Sequence, residues 1–335
     1  MTYHSGRIDI VFTALEPLHH GAGTSGNTQV FRTVETHNPL TGEFYMDPII
    51  SGNSVKHMIR DGAVRFALDA MGVEDGAFSK SVVDLLMSGG HLGAGAQSVD
   101  LQAARDVARL FPALSLCGYS AGNVMTKSKL SVDIVHLVCM ENAWRMMPDS
   151  CRTAPQADKS LWEFRGEEFG TRHEASRDPR VMRMLSAGDK ALLVAEVTSK
   201  KKSKDDEGKA QKKSKASSQM IYEFQTIAAG SLWWGGMDFH DLTDMERAAL
   251  LSGLGYSCRG MQDGRYRFAL GAKSSIGFGA VAAQFDGSVR QLASPGYESS
   301  DALVPAVGKD DLDAYREHLR DSRPDIMALL TRIAT

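Results

Sequence analysis

PLHHGAGTSGNTQVFRT (residues 17–33), NPLTGEFY (38–45) and ISGNSVKHMIR (50–60) form the stretch on which the rest of the chain is organised. It holds two glycine-rich turns, each followed by polar or basic residues, and the second turn opens a helix. Ser51, Asn53 and Ser54 offer side-chain oxygens to the first free backbone N–H groups of that helix. From there Val55, Met58, Ile59, Ala63, Phe66, Ala67 and Ala70 fall on one stripe, the spacing of an amphipathic helix with a buried face. Lys56, His57 and Arg60 lie off the stripe in the first turns. A helix start combines partial positive charge with unpaired donors, so this end suits a phosphate. An ordinary capped surface helix would carry the same features.

The chain has 335 residues, enough for one large domain or two. Hydrophobic residues at 43% and charged residues at 24% are ordinary for a globular protein. A formal net charge of −3 does not announce a nucleic-acid binder, so such a role would need local clustering of cations. Cys117, Cys139, Cys151 and Cys258 are far apart and form no CxxC, which fits reduced thiols better than a disulfide framework or a zinc site. No apolar run is long enough to cross a membrane, and MTYHSGRIDIVF lacks a signal-peptide pattern. The expected location is the cytoplasm.

Residues 7–15 (RIDIVFTAL) alternate and read as the first strand. The following residues, to about 45, read as a long loop, and a short strand at 45–50 leads into the helix. Residues 72–97 are mixed, with Gly89, Gly90, Gly93 and Gly95 marking a turn. A helix is expected over 99–111, stopped by Pro112. LSVDIVHLVCM (130–140) reads as one buried strand, and 142–187 as an extended insertion outside the core. A strand at 191–198 precedes residues 199–218, which hold eight lysines against three acids and no large apolar residue, so they read as a disordered basic loop. Strands are expected at 220–227 and 231–239. Thr243-Asp244-Met245-Glu246 is a capping box opening a helix to about Gly255. A strand pair at 265–270 and 279–285 is joined by AKSSIGFG, and two short helices follow at 310–319 and 324–333. The architecture is α+β, a mixed sheet with helices on one face.

GAGTSG (21–26) matches GxGxxG but is followed by NTQVFRT, which has no helical period, so a dinucleotide site is not expected. His19, His20 and His37 have no acid or cysteine at ligand spacing, and no metal or cofactor is expected. AKSSIGFGAV (272–281) is more informative. Gly277 and Gly279 allow close backbone approach, and Lys273, Ser274 and Ser275 add charge and donors. The opening stretch repeats this recipe. Both suit contact with phosphates or sugars irrespective of base, although a hairpin loop with no ligand could look the same.

These segments resemble a known family. GNSVKHMIRDG resembles the glycine-then-serine helix opening of CRISPR-associated RAMP-superfamily proteins, and AKSSIGFGAV resembles the glycine-rich loop near their C-terminus. HNPLTGEFYMDPIISGNSVKHMIR is similar to the loop–strand–helix segment of the backbone subunits that polymerise along CRISPR RNA (crRNA). HHGAGTSGN with QVFRT, and the lysine-rich stretch before MIYEFQTIAAGSLWWG, most resemble the type IV backbone subunit. The resemblance implies an RRM-like (ferredoxin-like) palm with insertions over residues 1–286. Residues 72–128 would be a helical finger-like region, 142–218 a thumb with the basic loop, and 287–335 a C-terminal helical tail. It implies several copies stacked head-to-tail on one guide, with bases left open to a target nucleic acid, beside other effector subunits and away from membranes. The implied RNA-binding residues are His19, His20, Gly21, Asn27, Arg32, Ser51, Asn53, Ser54, Lys56, His57, Arg60, Lys127, Lys129, Lys273, Ser274 and Ser275, and the thumb would include Met182, Arg183 and Met184.

In RNA-cleaving relatives an aspartate follows the first glycine turn. Here the region reads GAGTSGNTQV, and Asp47 sits too close to the next strand to replace it. Binding without cleavage is therefore expected. The alternatives are an endoribonuclease processing precursor crRNA with His19 or His20 as general base, and a binding scaffold outside CRISPR systems.

Overall fold

The computed structural model describes residues 3–90, 101–121, 124–173, 186, 219–262, 265–286 and 309–334. The expected strand at 191–198, the basic stretch 199–218 and the thumb residues Met182, Arg183 and Met184 lie outside them.

Six elements form the frame: β1 (His4–Ala14), α1 (Gly52–Met71), β2 (Leu130–Val132), β3 (Leu232–Leu242), α2 (Asp244–Ser257) and β4 (Ala280–Asp286). β1 pairs antiparallel with β4 on one side and β3 on the other, and β3 pairs antiparallel with β2. The spatial order β4-β1-β3-β2 with this chain order is the βαββαβ arrangement of a ferredoxin-like sheet. The sheet extends outward from β4 through Arg265–Ala269 to Met261–Gln262. Beyond β3 it continues through Val135–Leu137 and Phe44–Ile50 to Thr33–His37.

The alternation of β1 places Ile8, Ile10, Phe12 and Ala14 in the core and turns Arg7, Asp9 and Val11 to the opposite face. α1 buries Val55, Ile59, Ala63, Phe66 and Ala67 in that core, beside Leu250 and Leu254 of α2. Full burial of the Val, Ile, Phe and Leu side chains among these contributes about 1.5–3 kcal/mol each. α1 ends at Gly72, whose φ of 59° is left-handed and whose N–H caps Asp69 O. α2 begins with the expected capping box, Glu246 N–H donating to Thr243 Oγ1 at 3.2 Å and Thr243 N–H to Glu246 Oε2 at 2.9 Å. The helices cross at glycines. A Cβ on Gly62 would lie 2.2 Å from Gly253 O, and one on Gly253 would lie 2.5 Å from Ile59 O.

Several sequence expectations change. Most of the loop expected before Tyr45 is strand: Gly21–Ser25, Thr28–Phe31 and Thr33–His37. Their partners are set by the tertiary fold, with Thr28 opposite Glu223 and Thr33 opposite Pro48. Lys80–Ser88 is a helix, and Gly89 is its left-handed cap. Pro112 starts a new helix, Pro112–Cys117, as well as ending Leu101–Leu110. The strand expected over 130–140 is broken at Asp133 and Ile134, where Asp133 N–H donates to Gly236 O at 2.8 Å. Residues 142–166 were expected outside the core. Met147 and Cys151 pack on the second face of the sheet with Val138 and Trp234, while Leu161 and Phe164 join the main core and Asn142 is buried. The last two helices, Lys309–Asp321 and Arg323–Ile333, pack into the helical layer, where Tyr315 stacks on Phe66 at 5.8 Å.

The chain divides into two compact units. The larger contains the frame. The smaller comprises residues 23–30 and 167–225, and its described part belongs to a four-stranded sheet in which Thr28 Oγ1 donates to Glu223 Oε2 at 2.7 Å.

Candidate nucleic-acid interface

Three donor-rich segments meet on the larger unit. Ala272 N–H donates to His19 O at 2.8 Å, and Gly279 N–H donates to Pro17 O at 3.0 Å. These bonds fix the AKSSIGFG loop beside residues 17–21. Gly271, at φ +79°, leaves no room for a side chain, since a Cβ would stand 2.4 Å from His19 O. The N-terminus of α1 joins them through His20, whose Nε2 accepts from Ser51 N–H at 3.2 Å and lies 3.3 Å from Ser51 Oγ.

This junction changes the roles expected of Ser51 and of the two histidines. Ser51 stands at the helix start, but its hydroxyl accepts no helix N–H and lies 3.1 Å from Ser54 Oγ. His19 and His20 are both buried at this corner. Burial pushes the His20 imidazole down to about 4, and nearby Arg32 adds to the effect. The neutral ring this produces is the form that can accept from Ser51. Gly52 is also structural: a Cβ there would lie 2.2 Å from Val132 O of β2.

The loop 272–279 is a single helical turn, Ser274–Ile276, framed by left-handed Lys273 (φ 65°) and Gly277 (φ 98°). Ser274 and Ser275 are exposed and Lys273 is half-buried. On the helix side Asn53 and His57 are exposed, while Ser54 and Lys56 are half-buried. Burial, with Arg60 nearby, lowers the Lys56 ammonium below its ordinary value. Gly21 is half-buried, and Arg32 and Lys127 are exposed on the same unit. Asn27 is exposed in the smaller unit.

Two of the expected cations are engaged internally. Arg60 Nη2 donates to Cys117 O at 3.0 Å and Gly118 O at 2.8 Å, tying α1 to the end of the Pro112–Cys117 helix. Lys129 Nζ donates to Glu246 Oε2 at 2.7 Å and Asp241 O at 3.0 Å. Glu246 is fully buried and also accepts from Ser115 Oγ at 2.5 Å, so Lys129 completes the α2 cap.

Beside Ser54, His57 and Gly271 lies a cavity of about 460 Å³ that no local motif announces, whose walls also include Arg65, Tyr256 and Arg259. Arg65 follows His57 and Asp61 at four-residue intervals along α1, whereas Tyr256 and Arg259 are distant in sequence and only the fold brings them there. Asp47 is fully buried and structural, 2.7 Å from His136 Nδ1 and accepting from Asn142 Nδ2 at 2.8 Å. On the second sheet face Arg7 bonds Asp9 at 2.7 Å, Asp133 at 2.6 Å and Asp238 at 3.0 Å. Among the described residues no three His, Cys, Asp or Glu side chains are grouped to hold a metal. No helix among them is long and apolar enough to cross a membrane.

No protein-family model matches the chain, and no curated protein does. Among solved structures, a chain described as "Type IV-B CRISPR Complex" is similar with a TM-score of 0.52. The likeness covers 91% of this chain and 100% of that chain at 16% sequence identity, and is therefore one of fold.

Proposed function

We propose that this protein is a non-catalytic, guide-RNA-binding subunit of a CRISPR effector ribonucleoprotein. Several copies stack head-to-tail along one crRNA, holding phosphates and sugars while the bases pair with a target nucleic acid. The observation that carries this reading is the convergence of residues 17–21, 51–57 and 271–279 at one corner, held by the Ala272–His19 and His20–Ser51 hydrogen bonds. That corner exposes backbone, hydroxyl and cationic donors and no base-reading pair of amides. Such a surface suits any guide sequence, because phosphate contacts are indifferent to base identity. The fold shared with a chain of a Type IV-B CRISPR complex supports the same reading. A repeated head-to-tail contact that does not close generates a helical filament.

Binding without hydrolysis is favoured by the state of the two histidines. Both are buried, and the Nε2 lone pair of His20 is occupied by Ser51 N–H. A general base must reach the proton it removes.

The test is co-expression with a guide. The purified protein is expected to carry RNA, visible in its ultraviolet absorbance ratio. Lys56→Ala with Lys273→Ala should weaken binding alike for unrelated guides and lower the slope of log K against log salt by about 1.4, two single-strand phosphate contacts. A loss confined to one sequence, or site-specific cutting of precursor RNA, would overturn the proposal.

A further inference from the structure

We propose that the cavity between α1 and the end of α2 holds one nucleotide of the bound RNA, its phosphate on Arg259 and its base against Tyr256. The inference rests on the RNA-binding reading and adds a subsite to it. The cavity opens beside Ser54, His57 and Gly271, so a strand at the corner reaches it directly. Its volume of about 460 Å³ falls within the roughly 300–1,000 Å³ of small-ligand sites.

The wall chemistry fits a nucleotide. Arg259 is exposed, and among the described residues its guanidinium has no hydrogen-bond or ion-pair partner. Arg65 gives Nε to Asp61 at 2.8 Å, which leaves its remaining N–H groups for another acceptor. Arg65 answers Asp61 and stands near Asp69, the carboxylate behind Tyr256, which leaves Arg259 as the cation of the wall for a phosphate. Tyr256 donates its hydroxyl to Asp69, which anchors a ring that is 44% exposed. An anchored, exposed aromatic ring offers a base a stacking surface at little cost in side-chain freedom. Ser54 and Ser257 place hydroxyls nearby for a ribose.

Fluorescence anisotropy with a labelled single-stranded RNA tests the subsite. Arg259→Ala and Tyr256→Ala should each weaken binding about tenfold, and Arg259→Ala should flatten the salt slope by about 0.7. Tyr256→Phe should lose less than Tyr256→Ala, because it keeps the stacking ring and gives up only its anchor on Asp69. Unchanged melting temperatures would show that the variants are folded. Wild-type affinity and slope in both alanine variants would overturn the subsite while leaving RNA binding intact. A wild-type protein that binds no RNA would overturn the broader reading, and the subsite with it.

Discussion

Gly62 and Gly255 provide matched substitutions with opposite expected signs. Both lie in helices, where replacing Gly by Ala normally stabilises by about 0.5–1 kcal/mol through reduced chain entropy. At Gly255 nothing stands within 4 Å of a new Cβ, so Gly255→Ala should show that gain. At Gly62 the new Cβ would lie 2.2 Å from Gly253 O and 2.4 Å from Ser257 Oγ. The serine could turn away, but the carbonyl belongs to the backbone of α2. Relieving the clash means moving one helix against the other. Overpacking of this kind costs about 1–3 kcal/mol, and contact with backbone puts it at the upper end. Subtracting the propensity gain leaves a net loss of about 2 kcal/mol. For a chain of 335 residues that lowers Tm by about 3 °C. Thermal unfolding followed by circular dichroism, with urea titration as a second measure, gives both values. A neutral or stabilising Gly62→Ala would mean that the two helices do not meet as closely as described.

Glu246→Ala should destabilise by about 3 kcal/mol, the low end for breaking a buried ion pair because Lys129 is itself partly exposed; a urea midpoint within error of wild type would contradict the role given to this carboxylate. Arg60→Ala should cost about 1–3 kcal/mol by stranding Cys117 O and Gly118 O, with no change in the salt slope of RNA binding; a lower slope at wild-type stability would return Arg60 to the phosphate track. The His20 imidazole sits below its ordinary value in the folded state, so its contribution is complete above about 6.5 and is lost as pH falls towards about 4. Urea midpoints at pH 7, 6 and 5 should therefore converge between wild type and His20→Gln as the solution is acidified, and parallel pH profiles would refute the His20–Ser51 bond.

The parts of the fold legible in the sequence are those written in local periods. The two-residue alternation of β1, the stripe on α1 and the Thr243–Glu246 cap each need only a few consecutive residues. The strands at 21–37 were obscured because glycine, asparagine and threonine read as loop, while their partners lie elsewhere in the chain. The corner of the candidate interface was legible as three separate glycine motifs. Which cations remain available there was not. Arg60 is engaged by carbonyls 57 and 58 positions away, and Lys129 by a carboxylate 117 positions away. No spacing rule on a single helix or strand encodes such pairings. The burial of His19 and His20 was hidden for the same reason, since the segments that cover them come from distant parts of the chain.

The surroundings of Arg7 have a consequence for where a nucleic acid can travel. Its one guanidinium answers three carboxylates, Asp9, Asp133 and Asp238, on the outward face of the central strands, in a cavity that Arg145 and Arg152 also line. Isolated RRM domains stack bases on that side. Here Met147 and Cys151 pack over Val138 and Trp234 on that side, so the central strands offer a base no open platform there. On the proposed reading, that cover keeps the guide off the sheet face and leaves it the glycine corner at the border.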